Sequence, residues 1–152
     1  MGKWTKTQWR GHTFNKRTIR MLKKVEKRSG VTLNIAQGGW ANGRVSASGS
    51  THDGSAVDIG LWGVSRKDRI KVIHAAKQVG FGGWIRKPSQ GFSWHFHGLP
   101  FDDPHVSRSG MDQLRSYEEG RNGLTNNAPD NTWRPPRKKR WGWKRNRPVK
   151  RR

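Results

Sequence analysis

Between residues 15 and 29 the apolar positions Ile19, Leu22 and Val25 recur at intervals of three, which stacks them on one face of a helix. Asn15 is placed to cap its first turn and Gly30 to stop it, and the rest of its surface is crowded with lysine and arginine. The period changes to two at residues 31–37, Val-Thr-Leu-Asn-Ile-Ala-Gln, predicting a strand that ends at Gly38-Gly39. Residues 38–55 are rich in Gly, Ser and Asn and read as a long loop, a length that is usually functional or disordered. A second strand is expected over residues 56–61, with Ala56 and Asp58 on one face and Val57 and Ile59 on the other. One of those faces meets the core and the other carries chemistry. Residues 65–79 predict a second helix, with Ser65 and Asp68 as a capping pair, a stripe of Ile70, Ile73 and Ala76 or Lys77, and Gly80 at its end. Strands are expected near residues 83–86 and 94–99, joined by a turn at 88–91, and a short helix over about 110–119 closes the sequence of elements. The expected class is α+β: a small antiparallel sheet with two or three helices packed on it.

The length of 152 residues suits one domain with a tail. We divide it into an N-terminal arm (1–14), a folded domain (15–132) and a basic tail (133–152). Residues 134–152 hold eleven Lys or Arg, three Pro, two Trp and no acid, so they cannot bury a core and are expected to be disordered alone. About half of the net charge of +22 lies there, and a charge this large implies an anionic partner. The run Arg137-Lys138-Lys139-Arg140-Trp141-Gly142-Trp143-Lys144-Arg145 suits phosphate polymers, anionic lipid or single-stranded nucleic acid alike. Cysteine is absent, which excludes disulfides, a thiol nucleophile and thiolate metal sites. The N-terminus lacks the apolar stretch of a secretory signal, so the chain is expected to stay cytoplasmic until another route carries it out.

Candidate chemistry concentrates in residues 50–58 and 94–98. His52 sits in a glycine-bounded turn just before a strand, and Asp58 interrupts an otherwise apolar run, where an acid is costly unless paired or bound to a cation. His97 belongs to a His-x-His pair whose alternation puts it on the same strand face as His95. His52, Asp58 and His97 together supply the three imidazole and carboxylate ligands of a catalytic zinc ion, which leaves a fourth position for water. The alternatives for Asp58 are a loop cap or an ion pair with Arg44. His95, beside the metal and titratable near neutrality, is by elimination the general base or transition-state donor, with a packed or solvated histidine as the bland alternative. Arg44 and Gln37 flank the long loop and are candidates to bind a substrate carboxylate or carbonyl, and Ser50 to support the turn and touch substrate. His12, His74 and His105 are assigned no role, and Trp40, Trp62 and Trp84 are read as core.

Ser50, His52, Gly54, Ala56 and Asp58 resemble the Ser-x-His-x-x-Gly-x-Ala-x-Asp signature of the zinc D-alanyl-D-alanine carboxypeptidase superfamily, which includes phage endopeptidases and the hedgehog signalling domain. Trp94-His95-Phe96-His97 resembles its second motif. The stretch from Asn15 to Gly60 and the later element from Gln113 to Leu124 are similar to actinobacterial and actinophage members. Two departures stand out: the turn from His52 to Asp58 is one residue shorter, and Gly91, Phe92 and Trp94 occupy the places where many relatives carry an acidic base. The resemblance implies a monomeric, phage-encoded zinc peptidase that cuts a peptide bond of bacterial peptidoglycan. The tail would then meet anionic envelope polymers or membrane, with nonspecific nucleic-acid affinity as a side effect. Two other classes stay open: a non-catalytic, zinc-stabilised wall-binding protein, and a basic nucleic-acid-binding protein.

Overall fold

The structure is a computed structural model that describes residues 2–41 and 51–136. In chain order the elements are β1 (Lys6–Trp9), β2 (His12–Asn15), α1 (Lys16–Ser29), β3 (Asn34–Gln37), β4 (Val57–Gly60), α2 (Arg66–Val79), β5 (Phe81–Arg86), β6 (His95–Pro100) and α3 (Arg108–Glu118). This is the expected α+β class: β1 and β2 form a hairpin, and β3-β4-β6-β5 form a second sheet whose neighbours are all antiparallel. Among the described residues no helix is long and apolar enough to cross a membrane.

The helix signals act as the sequence implies. Asn15 Oδ1 accepts from Thr18 N at 2.8 Å, and Gly30 closes α1 in the left-handed conformation at φ 70°. Ser65 Oγ likewise accepts from Asp68 N at 3.1 Å. The stripe of α2 is displaced from the expected one: Val72, Ile73, Ala76 and Val79 are buried, whereas Ile70 is 46% exposed. At 100° per residue Ile70 lies about 140° from the centre of the arc set by Val72 and Ala76, just past its edge. Lys77 lies near the same edge and is buried, its Nζ donating to Thr132 Oγ1 and the Trp133 carbonyl at 2.7 and 2.6 Å and lying over the Tyr117 ring. Trp133 then stacks on His74 with ring centroids 4.0 Å apart. The basic run of the tail lies outside the described residues.

Alternation assigns each face of the larger sheet. Val57, Ile59, Phe81 and Phe96 point toward α1 and α2, where they join Leu22, Val25, Val72 and Val79 in the main core. On the opposite face Ala56, Trp84 and Leu99 pack with Phe101, Leu114 and Tyr117, under α3. Helix α3 covers only one end of that face. The other end, which carries Asp58, Arg86, His95 and His97, opens into a cavity. Of the tryptophans read as core, Trp84 is 2% exposed but Trp62 is 50% exposed, and Trp40 is half-buried beneath the Lys6 ammonium. Trp62 follows the last residue of β4 by two and turns with the chain out of the sheet.

Candidate metal centre

Strand register brings two of the site residues together. Asp58 on β4 pairs directly with His97 on β6, and Asp58 is also the partner of Gln37 on β3. His52 arrives from a single helical turn, Thr51–Asp53, that precedes β4. One donor atom from each of His52, Asp58 and His97 lies within 4.8 Å of the others, and all three residues are buried.

The hydrogen bonds around the two imidazoles fix which nitrogen each presents. His52 Nδ1 lies 2.7 Å from the Gly38 carbonyl, which only accepts, so Nδ1 carries the proton and Nε2 the lone pair. That Nε2 is 3.3 Å from Asp58 Oδ1, without the alignment of a hydrogen bond, and is a buried nitrogen with no hydrogen-bond partner. At His97, Nε2 meets Gln113 Oε1 at 2.7 Å, and Gln113 Nε2 reaches the Gly123 carbonyl at 3.5 Å, which orients the amide. His97 Nδ1 is thereby turned to Asp58 Oδ1, 2.8 Å away. Two imidazole lone pairs and a carboxylate oxygen thus converge while the outer nitrogens are held by Gly38 and Gln113, the pattern of outer-shell support seen around metal-bound histidines. The orphaned His52 Nε2 fits a cation, and His52, Asp58 and His97 form a group that can hold a metal ion.

Electrostatics point the same way. Burial pushes the Asp58 carboxyl up, but the adjoining His52 and His97 imidazoles outweigh it and hold the group well below the usual carboxylate range. Burial likewise pushes His52 down, yet the adjacent Asp58 carboxylate dominates and raises it above the ordinary imidazole value. Asp58 is therefore ionised across the physiological range, and His52 is a proton-binding group with which a cation competes.

His95 stands beside this group. Its Nδ1 meets the Ser93 carbonyl at 2.8 Å, so Nε2 is left as the basic nitrogen, 3.8 Å from Asp58 Oδ2. The cavity at this end of the sheet has a volume of about 560 Å³, and Asp58, His95 and His97 share its lining with Arg86, Phe92 and Gln113. Arg86 is 4% exposed; one Nη donates to the Asn122 carbonyl at 2.8 Å and the guanidinium lies over Trp84. Burial lowers it to about 10, against the opposing pull of Asp130 and Asp58.

Of the residues proposed from sequence, His52, Asp58, His95 and His97 come together. Gln37 is buried next to Asp58 across the β3–β4 ladder, with its Nε2 unpartnered, but it is not part of the cavity wall. Arg44 and Ser50 lie outside the described residues. Arg86 and Gln113 carried no role in the sequence reading. The one signal available for Arg86 was its parity with Trp84 on a predicted strand. Comparison with family models, with curated proteins and with solved structures finds no match to this chain.

Proposed function

We propose that this protein is a zinc-dependent peptidase that hydrolyses a peptide bond of bacterial peptidoglycan, as the resemblance of its two histidine motifs implies. The observation that carries the reading is the His52–Asp58–His97 group, whose Asp58 and His97 line a cavity that also presents His95 and Arg86. A donor set of two imidazoles and one carboxylate suits zinc among the common divalent ions. When bound, the ion supplies Lewis acidity and a water whose pKa is lowered to about 7. His95 Nε2 is then positioned to take a proton from the nucleophile and return it to the leaving amine. Arg86 contributes a fixed positive charge, which favours the tetrahedral oxyanion or a substrate carboxylate over the neutral ground state. In this reading the chain is phage-encoded and acts at the bacterial wall, with the tail drawn to anionic envelope polymers or membrane.

A second reading is favoured by one feature: Asp58 is the sole carboxylate among the described residues lining the cavity, so among them no acidic general base accompanies the metal ligands. In that case the chain is a zinc-stabilised wall-binding protein. Metal analysis combined with mass spectrometry of digested peptidoglycan separates the two. New peptide termini produced by the wild type and lost in His97→Ala establish the peptidase, whereas zinc occupancy with intact muropeptides supports binding alone.

A further inference from the structure

We propose that the face built from β1 and α1 is a separate binding site for a flexible phosphodiester polymer without bases, of the poly(glycerol phosphate) kind. Lys16, Arg20, Lys23 and Lys27 fall at i, i+4, i+7 and i+11 of α1, so they form one stripe about 16 Å long. Arg20, Lys23 and Lys27 are exposed and Lys16 half-buried. A hollow of about 360 Å³ runs between this stripe and β1, walled by Lys3, Trp9, Lys16, Arg20 and Lys23. The stripe and the hollow are one surface.

Charge is concentrated here against the preference of the helix itself. The first turn of α1 has no acid and starts with Lys16 and Arg17, at the end where the helix dipole disfavours cations. Glu26 is the single acid in residues 1–30, and its carboxylate is held by Arg10 at 2.6 and 3.0 Å and by the Leu33 amide at 2.8 Å. An anionic partner relieves the mutual repulsion that the fold tolerates.

The tryptophans decide between polymers. Single-stranded nucleic acid is held by bases stacked on open aromatic faces. Here the Arg10 guanidinium lies 4.1 Å over the Trp9 ring, whose edge contacts Phe14 and which packs on the main core. Lys3 and Arg17 lie over Trp4 at 5.0 and 5.6 Å. Rings covered by cations offer bases no platform but present those cations to phosphates. The face shares no residue with the metal centre, so the failure of this proposal and that of the peptidase reading are separately visible.

The test uses the full chain, titrated with poly(glycerol phosphate) and with oligo(dT) of matched charge across a salt series. K16Q/R20Q/K23Q/K27Q is compared with the control R66Q/K67Q/K71Q/R108Q, which removes the same charge elsewhere on the surface. Loss of four phosphate contacts predicts binding weakened about 10-fold and a log–log salt slope shallower by roughly 3, with the control slope unchanged. Amide shifts of the unaltered chain on adding the polymer should fall on residues 6–9 and 16–27, a readout that does not depend on any variant folding. Equal losses in both variants, shifts confined to the tail, or tighter binding of oligo(dT) than of the polymer at this face would each overturn the proposal.

Discussion

Removal of Asp58 should abolish metal-linked stability while leaving the sheet intact. In the wild type three ligand atoms are already within 4.8 Å of each other, so little reorganisation opposes binding. At a free zinc concentration one hundred times Kd, the folded state gains about 2.7 kcal/mol. For a domain of this size that raises Tm by about 8–10 °C. Asp58→Asn keeps the volume and removes the charge, and His52→Ala removes the lone pair that has no protein partner. Both should show less than about 1 °C of zinc-induced shift. The pH dependence carries a sign. The raised His52 group stabilises the metal-free fold below the ordinary imidazole value, and that contribution is lost as pH rises through the folded value. Zinc binding displaces the same proton, so metal affinity climbs over the same window. Differential scanning fluorimetry of tag-free protein, from pH 5.5 to 8 with zinc or a chelator, measures both trends. A wild type that does not respond to zinc, or variants that respond equally, would refute the assignment of these three residues as ligands.

The remaining predictions use other parts of the molecule. A Cβ added at Gly54 would collide with the His105 carbonyl, so Gly54→Ala should destabilise the fold by about 1–3 kcal/mol in urea titration and weaken zinc binding; unchanged values for both would contradict the tight approach. Glu26→Gln should cost about 1 kcal/mol, a modest figure because Arg10 is 37% exposed and the pair is screened. Burial opposes ionisation of Glu26, but its bonds to Arg10 and Leu33 hold it below its ordinary 4.5. The difference between wild type and variant should therefore vanish as pH falls below that range, and a difference that persists at pH 2 would point to packing instead. His95→Gln should retain full zinc content yet clear purified walls at least 100-fold more slowly, as expected for loss of a general acid–base; undiminished clearing would remove His95 from the mechanism.

What could be read from the sequence was what local chemistry determines. Helix α1 was legible because its stripe, cap and stop agree, and Asp58 stood out because a lone acid in an apolar strand needs a partner. The β1–β2 hairpin was not, because its turn residues Arg10 and Gly11 both take positive φ, 52° and 79°, without the Asn-Gly or Asp-Gly pair that signals such a turn. The breadth of the buried arc on α2 was also hidden, since the Lys77 ammonium is held by the returning segment at 132–133 and lies over the Tyr117 ring of α3. Arg86 and Gln113 were invisible for a related reason. Nothing near Arg86 in the sequence separates it from the other lysines and arginines. It enters the cavity only through pairing with His95 across β5 and β6. Gln113 reaches His97 from a helix sixteen residues further on.

The three ligand residues are not held equally, and the difference locates where the site's precision comes from. Asp58 and His97 lie on the two interior strands of the sheet, so ladders on both sides fix their backbones. His52 has no ladder; it depends on a ring of bonds from flanking loops. Its Nδ1 is set by the Gly38 carbonyl, its own carbonyl accepts from Ala41 N at 2.8 Å, and Gly54 and Ser55 are tied to Trp40 and His105 at 3.1 and 2.9 Å. Those loops converge on Asn15, fully buried, whose Nδ2 reaches Ser55 Oγ and Asp103 Oδ2 at 3.2 and 2.8 Å while its Oδ1 caps α1. The Gly39 amide in turn donates to the Thr13 carbonyl on β2. The N-terminal hairpin is thus part of the support of the metal site, because the one ligand the sheet cannot position is positioned through the junction of β2 and α1.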